Sequence, residues 1–139
     1  SGDGLYPPEV HGERIAAIRR MAEQRGVPLF INARTDVFFG EPVPPTQGLK
    51  AVVERARVYA DAGASGLFVP GLVHMPSLAA LCESVDLPVN VMVMPGLPDA
   101  STLSRIGVAR ISHGPGPFRV AMDAIRSAAQ HAYGPAGST

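Results

Sequence analysis

The sequence contains one cysteine and no excess of charge of either sign. Cys82 alone excludes a disulfide within the chain and a metal cluster held by cysteines. Twelve basic residues balance twelve acidic ones, so the basic surface typical of nucleic-acid-binding proteins is missing. No apolar run approaches the ~20 residues that span a bilayer, and no basic start precedes an apolar segment. We therefore expect a cytoplasmic protein that binds neither nucleic acid nor membranes.

The overall composition is that of a globular domain. Of the 139 residues, 46% are hydrophobic and 17% are charged, which allows a buried core. The 15 glycines and 14 prolines fall mostly between periodic segments, where they mark turns rather than disorder. We expect a single domain over residues 1–139, with a loose tail at 134–139.

Helical and strand-like patterns alternate along the chain. Apolar residues recur at helical spacing in five segments, the first over residues 8–24 and the last from 117 to about 133, and short apolar runs lie between them. The predicted strands lie near residues 27–33, 66–70, 89–94 and 109–112. Because each strand is flanked by helices, we predict a parallel sheet with right-handed crossovers. The longer loops, which carry the unusual polar residues, follow the strands, so we expect chemistry at the carboxyl ends of the strands.

The most informative segment is Asn32-Ala33-Arg34-Thr35-Asp36, at the end of the first predicted strand. Its polar side chains are not buried in a sheet unless they are paired or face a polar cavity. The planar guanidinium of Arg34 suits a carboxylate or a phosphonate, and the alternative is a structural ion pair with Asp36 or a helix carboxylate. Asp36 either orients Arg34 or caps a loop. Asn32 either shares the inward face with Arg34 or satisfies backbone groups.

Polar residues also interrupt or follow two later strands. Asn90 is the one polar residue in an otherwise apolar run, so it either binds substrate or braces a neighbouring strand. His113 follows Ser112 in a loop rich in glycine and proline. It either binds an anion or moves a proton near neutral pH, or it is simply exposed.

The segment Asn32–Asp36 resembles the corresponding part of the phosphoenolpyruvate mutase and isocitrate lyase superfamily. Residues 61–71, 87–91 and 107–112 agree with that family in order and spacing, and the resemblance extends over residues 26–122. It implies the C-terminal half of a (β/α)₈ barrel of the TIM type, with four βα units similar to the fifth to eighth of the family.

The resemblance also implies an activity. Members of the family use Mg²⁺ and make or break C–C or P–C bonds in small 2-oxo or enol carboxylates, as lyases or as isomerases. At Gly71 the sequence departs from lyase-like relatives, which carry a glutamate there, and this departure argues against a mechanism that needs the acid. The candidate site residues are Arg34 (catalytic and substrate-binding), Asn32, Gly71, Asn90 and His113 (substrate-binding), and Asp36 and Ser112 (supporting).

About half of the family's barrel has no counterpart in this sequence. The metal-holding carboxylates of the family lie on earlier strands, so the resemblance implies Mg²⁺ but no metal ligand in this chain. We therefore predict that the chain is incomplete or inactive alone, and that its partner is a second copy or a missing N-terminal half. The alternative is a non-catalytic half-barrel that binds an acidic small molecule or assembles with a partner chain through its open strand edges. The exact substrate stays open.

Overall fold

The computed structural model describes residues 4–40 and 42–134, and helices alternate with strands throughout these ranges. The predicted tail, from residue 135 onward, lies outside the described residues. The helices are α1 (Pro8–Gln24), α2 (Pro45–Asp61), α3 (Met75–Ser84), α4 (Ala100–Arg105) and α5 (Gly116–Tyr133), and the strands are β1 (Asn32–Arg34), β2 (Gly66–Phe68), β3 (Val89–Met92) and β4 (Val108–Ser112).

The four strands form one parallel sheet in the order β1-β2-β3-β4. Consecutive strands are therefore neighbours, each joined to the next by a crossover that contains a helix. This confirms the predicted α/β fold class. It also leaves β1 and β4 at the two edges of the sheet.

The first strand is shorter than predicted. The sequence favours a strand over residues 27–33, but only Asn32–Arg34 is assigned to β1. Pro28 has no N–H to donate, and Val27 and Phe30 are 50% and 60% exposed. This segment lies at the sheet edge, where β2 is its only partner strand among the described residues. The other three strands begin and end within two residues of the predicted positions.

The core lies between one face of the sheet and the helices. Leu67, Val69 and Val91 are 0% exposed, and they belong to one apolar cluster with Val52 and Tyr59 of α2. Since side chains alternate along a strand, residues next to these in sequence point to the opposite face. That second face is left for polar side chains and for a cavity.

Helix α5 stands apart from this core. Its apolar stripe is present as the sequence indicates, but none of its residues is buried. Phe118, Val120 and Ile125 are 68%, 71% and 62% exposed. Within the part of the chain that the structure describes, no helix has the length and apolarity needed to cross a membrane.

Candidate functional site

Four side chains form a row across the face of the sheet opposite the core. Arg34 on β1 is in register with Phe68 on β2, and Phe68 is in register with Asn90 on β3. A β-bulge between Val89 and Asn90 then places Arg110 of β4 opposite Asn90. Residues in register on parallel strands share a face, so the sheet itself brings these four together.

A cavity of about 1390 Å³ opens beside this row, at the carboxyl ends of the strands. Its lining includes three arginines and, among the described residues, no aspartate or glutamate. The local charge therefore favours an anionic ligand. The lining residues used below are Arg34, Phe39, Phe68, Met92, Arg110, Ser112 and His113.

The guanidinium of Arg34 is held from three sides. Its Nε donates a hydrogen bond to Asp36 Oδ1 at 2.6 Å. Its Cζ lies 4.9 Å from the ring centroid of Phe39 and 5.6 Å from that of Phe68. Within residues 4–40 and 42–134 neither Nη of Arg34 makes a hydrogen bond. The two terminal nitrogens therefore stay available for a carboxylate or phosphonate oxygen pair.

The ion pair between Arg34 and Asp36 contributes orientation rather than stability. The two side chains are 45% and 39% exposed, and an ion pair this open to solvent is worth little. Arg34 can therefore pair with Asp36 and bind a ligand at the same time. Asp36 contacts only Nε of the guanidinium, and Arg34 also lines the cavity.

Asn90 braces the sheet below the cavity. Its side chain is 2% exposed, and its Oδ1 accepts a hydrogen bond from Ser112 Oγ at 3.1 Å. This contact joins β3 to β4, which is one of the two roles that the sequence left open. Ser112 lines the cavity whereas Asn90 does not, so Asn90 contacts a lining residue rather than the cavity itself.

The remaining sequence-predicted residues divide into two groups. His113 lines the cavity and is exposed at the turn before α5. Asn32 and Gly71 lie outside the lining. Gly71 has φ +89°, and a Cβ on it would overlap the backbone carbonyl of Phe38. Gly71 thus allows the loop after β2 to pass close to the loop after β1, and a glutamate does not fit there without moving that loop.

Sequence analysis did not identify Arg110, Phe39 or Phe68 as site residues. Arg110 precedes Ser112 by two positions on one strand, so the period of two along a strand could have placed it on the same face. The position of Phe68 beside Arg34 depends on the strand register, and that of Phe39 depends on the path of the loop after β1. Neither of these is readable from local sequence.

The described residues do not form a magnesium site by themselves. No group of three or more His, Cys, Asp or Glu side chains comes together within residues 4–40 and 42–134. Mg²⁺ prefers carboxylates and other oxygen ligands, and Asp36, which is next to the cavity, already pairs with Arg34. The one cysteine offers no alternative chemistry at this cavity. Cys82 packs against the core, and burial raises the pKa of its thiol.

In the whole protein that carries this chain, Phe68→Leu is expected to raise the KM for an anionic substrate by roughly 3- to 10-fold, with a smaller change in kcat. Leucine keeps the apolar volume but removes the aromatic face beside the Arg34 guanidinium, a contact worth about 1 kcal/mol. Phe68→Tyr keeps that face and is expected to restore the KM. Phe30→Leu, at the exposed sheet edge, is the control in steady-state kinetics. Equal KM values for the Phe68→Leu and Phe30→Leu proteins would show that the ring does not position Arg34.

Four parallel strands joined by helices, with a cavity at the carboxyl ends of the strands, have the architecture of one half of a (β/α)₈ barrel, the class of fold that this chain shows. Residues 1–133 match the family described as phosphoenolpyruvate phosphomutase, and the chain belongs to this family. The superfamily predicted from the sequence is thereby confirmed. Solved members of the superfamily share this fold over about half of their chains.

Three relatives show how the match extends. A Burkholderia cenocepacia J2315 crystal structure, described provisionally as a phosphonomutase, is 45% identical with a TM-score of 0.89, covering 92% of this chain and 52% of that one. An uncharacterized Mycobacterium tuberculosis H37Rv protein, Rv1998c, is 35% identical over 94% of this chain and 47% of its own length. An oxaloacetate decarboxylase of Pseudomonas fluorescens SBW25 is 33% identical over 81% of this chain and 37% of its own length. The chain spans about half the length of the first two relatives, and less of the third.

Proposed function

We propose that this chain forms the anion-binding half of an active site that makes or breaks C–C or P–C bonds of small 2-oxo or enol carboxylates. The observation that carries the proposal is the geometry of Arg34, which presents two unused Nη groups to a cavity without acidic lining among the described residues. A relative named as an oxaloacetate decarboxylase supports this substrate class, because oxaloacetate is a 2-oxo acid with two carboxylates.

Each residue of the cavity has a part in this proposal. Arg34 binds the carboxylate or phosphonate with two parallel hydrogen bonds. Arg110 adds a second positive charge on the same face, which favours the negative charge that develops as an enolate forms. Ser112, held by Asn90, offers a hydroxyl at the cavity wall, and His113 lies where it can exchange a proton with bound substrate.

The magnesium implied by the family belongs to this proposal as well. The described residues lack the ligands for it, and we place those ligands on the part of the barrel that this chain does not contain. The N-terminal half is then needed for activity, and residues 1–139 alone bind the acidic end of the substrate without turning it over.

An activity screen tests both parts of the proposal. The whole protein that carries this chain is assayed with oxaloacetate, phosphonopyruvate and isocitrate-type substrates in the presence of Mg²⁺. We expect metal-dependent turnover of one of them by the whole protein, and little or none by residues 1–139 alone. Robust turnover by the 139-residue chain would contradict its incompleteness, and no turnover by the whole protein would contradict the substrate class.

The second candidate is a half-barrel whose main role is assembly. The apolar stripe of α5 is exposed, and Phe30 is 60% exposed beside the edge strand β1. Unpaired strand edges and uncovered apolar faces bind partners. The molecular mass in solution separates the candidates, because a monomer of residues 1–139 with no tendency to associate would contradict assembly through these surfaces.

A further inference from the structure

A second cavity, of about 370 Å³, lies where the start of α1 and the middle of α2 meet the end of β1. It differs from the first cavity in its surroundings, because it is lined by helix residues that do not reach the substrate cavity. Arg14 and Arg55 line it, and neither lines the cavity beside the sheet row. The other lining residues used here are His11, Thr35, Asp36 and Tyr59.

Three arginines line this cavity, and Arg34 among them also lines the substrate cavity and pairs with Asp36. The other two, Arg14 and Arg55, have no acidic partner in the part of the chain that the structure describes. The ion pairs found there are Arg34 with Asp36 and, on α5, Arg126 with Asp123. The guanidinium of Arg14 stacks on the ring of Tyr6, 4.4 Å from its centroid, and is not neutralised by it. Arg14 is exposed, whereas Arg55 is half-buried. A half-buried arginine without a counterion is unusual, since desolvated charges are normally paired.

Most of the polar side chains considered in this cavity are hydrogen-bond donors. Arg55 Nη1 donates to Tyr59 Oη at 3.2 Å, so the phenol accepts there and keeps its own proton to donate. Tyr59 is 1% exposed, which leaves few partners for that proton. Asp36 is the acceptor in the lining, and its Oδ1 is already occupied by Arg34. A ligand that accepts several hydrogen bonds would satisfy these groups.

Thr35 provides an independent observation. Its side chain is 3% exposed, and its Oγ1 is the one buried side-chain oxygen or nitrogen without a hydrogen-bond partner among the described residues. An unpartnered buried hydroxyl costs free energy, so such an atom normally has a partner. Thr35 lines the same cavity as the two arginines. One oxyanion can accept from the hydroxyl and from the guanidiniums together.

Histidine does not change the charge balance at neutral pH. His11 stacks against Tyr59, with ring centroids 4.8 Å apart. Burial lowers the pKa of its imidazole, and the positive charges of Arg14 and Arg55 lower it further. The imidazole is therefore neutral near pH 7, and the cavity retains the two uncompensated positive charges of Arg14 and Arg55.

We propose that this cavity binds a small oxyanion, a carboxylate or a phosphate, through Arg14, Arg55, Tyr59 and Thr35. The anion is either a free ion or a carboxylate that the whole protein itself contributes from outside the described residues. The site adjoins the proposed substrate site at Arg34, which lines both cavities, but Arg14, Arg55, Tyr59 and Thr35 line only this one. It ties β1, which carries Arg34, to the two helices α1 and α2.

The probe for the free ion is inorganic phosphate, titrated into the whole protein by calorimetry. We expect saturable binding that Arg14→Gln, Arg55→Gln and Thr35→Val each weaken by roughly tenfold or more, since hydrogen bonds to charged groups are worth about 1.5–3 kcal/mol. Matched controls are Arg20→Gln on α1 and Arg57→Gln on α2, which are exposed and lie outside this cavity. Binding that Arg110→Gln weakens and that Arg14→Gln, Arg55→Gln and Thr35→Val leave unchanged would assign the phosphate to the substrate cavity and contradict the proposal, because Arg110 lines only that cavity.

A double-mutant cycle on the free energy of unfolding identifies a carboxylate from the protein itself. Thr35 Oγ1 has no hydrogen-bond partner among the described residues, Arg14 included, so Arg14 and Thr35 are expected to couple only through a bound group. Absence of phosphate binding together with coupling between Arg14→Gln and Thr35→Val supports occupation by the protein's own carboxylate. Absence of binding with additive effects would overturn the proposal, whatever the stability of the single variants, because no shared group would then join Arg14 to Thr35.

Discussion

Arg34→Gln is expected to lower kcat/KM of the whole protein toward a 2-oxo carboxylate or phosphonate substrate by about 10²- to 10⁴-fold. Glutamine removes the charge and both Nη donors, and each hydrogen bond between charged groups is worth about 1.5–3 kcal/mol. Arg34→Lys keeps the charge but not the fork, so an intermediate loss is expected. Steady-state kinetics on purified variants measures the effect, with the substrate that the activity screen identifies.

Arg126→Gln is the matched control for this prediction. It removes an arginine–aspartate pair of the same 2.6 Å length, between exposed side chains on α5 and away from β1. Both substitutions are expected to change the free energy of unfolding by less than about 1 kcal/mol, because exposed ion pairs add little stability. Equal kcat/KM values for the Arg34→Gln and Arg126→Gln proteins would reduce Arg34 to a structural partner of Asp36.

The helices and the order of elements are predictable because they depend on local pattern. The apolar spacing predicts α1 over the same residues that the structure assigns, Pro8–Gln24. The ends of the strands are less predictable, because a residue belongs to a strand only where it pairs with a neighbouring strand. Residues 27–31 have the composition of a strand, but the edge position of β1 leaves them without a ladder on their outer side among the described residues.

A site residue can be predicted from the sequence only where its own type and position are informative. A guanidinium at a strand end is visible in the sequence as Arg34, and Arg34 lines the cavity at the carboxyl ends of the strands. Arg110 reaches the same row because of the bulge between Val89 and Asn90, and local sequence does not determine a bulge. The contact of Ser112 with Asn90 likewise depends on the register between β3 and β4, because the two residues are 22 positions apart in sequence.

The second large effect is expected at Gly71. Gly71→Ala should lower the free energy of unfolding by more than about 3 kcal/mol, whereas Gly26→Ala should cost only about 1–2 kcal/mol. Both glycines have positive φ, +89° and +64°, so both substitutions carry the left-handed penalty. They differ in surroundings, because a Cβ on Gly26 meets nothing within 4 Å, whereas one on Gly71 overlaps the Phe38 carbonyl. Urea denaturation of the two variants measures the difference.

The consequence of this contact reaches the substrate cavity. Phe38 precedes Phe39, whose ring lies against Arg34, so a side chain at Gly71 must push the loop that positions the guanidinium. Gly71→Glu, the acid of lyase-like relatives, is therefore expected to destabilise the fold rather than to add a catalytic group. Equal unfolding free energies for Gly71→Ala and Gly26→Ala would mean that the loop gives way at little cost. The absence of the acid would then reflect the reaction rather than the backbone path.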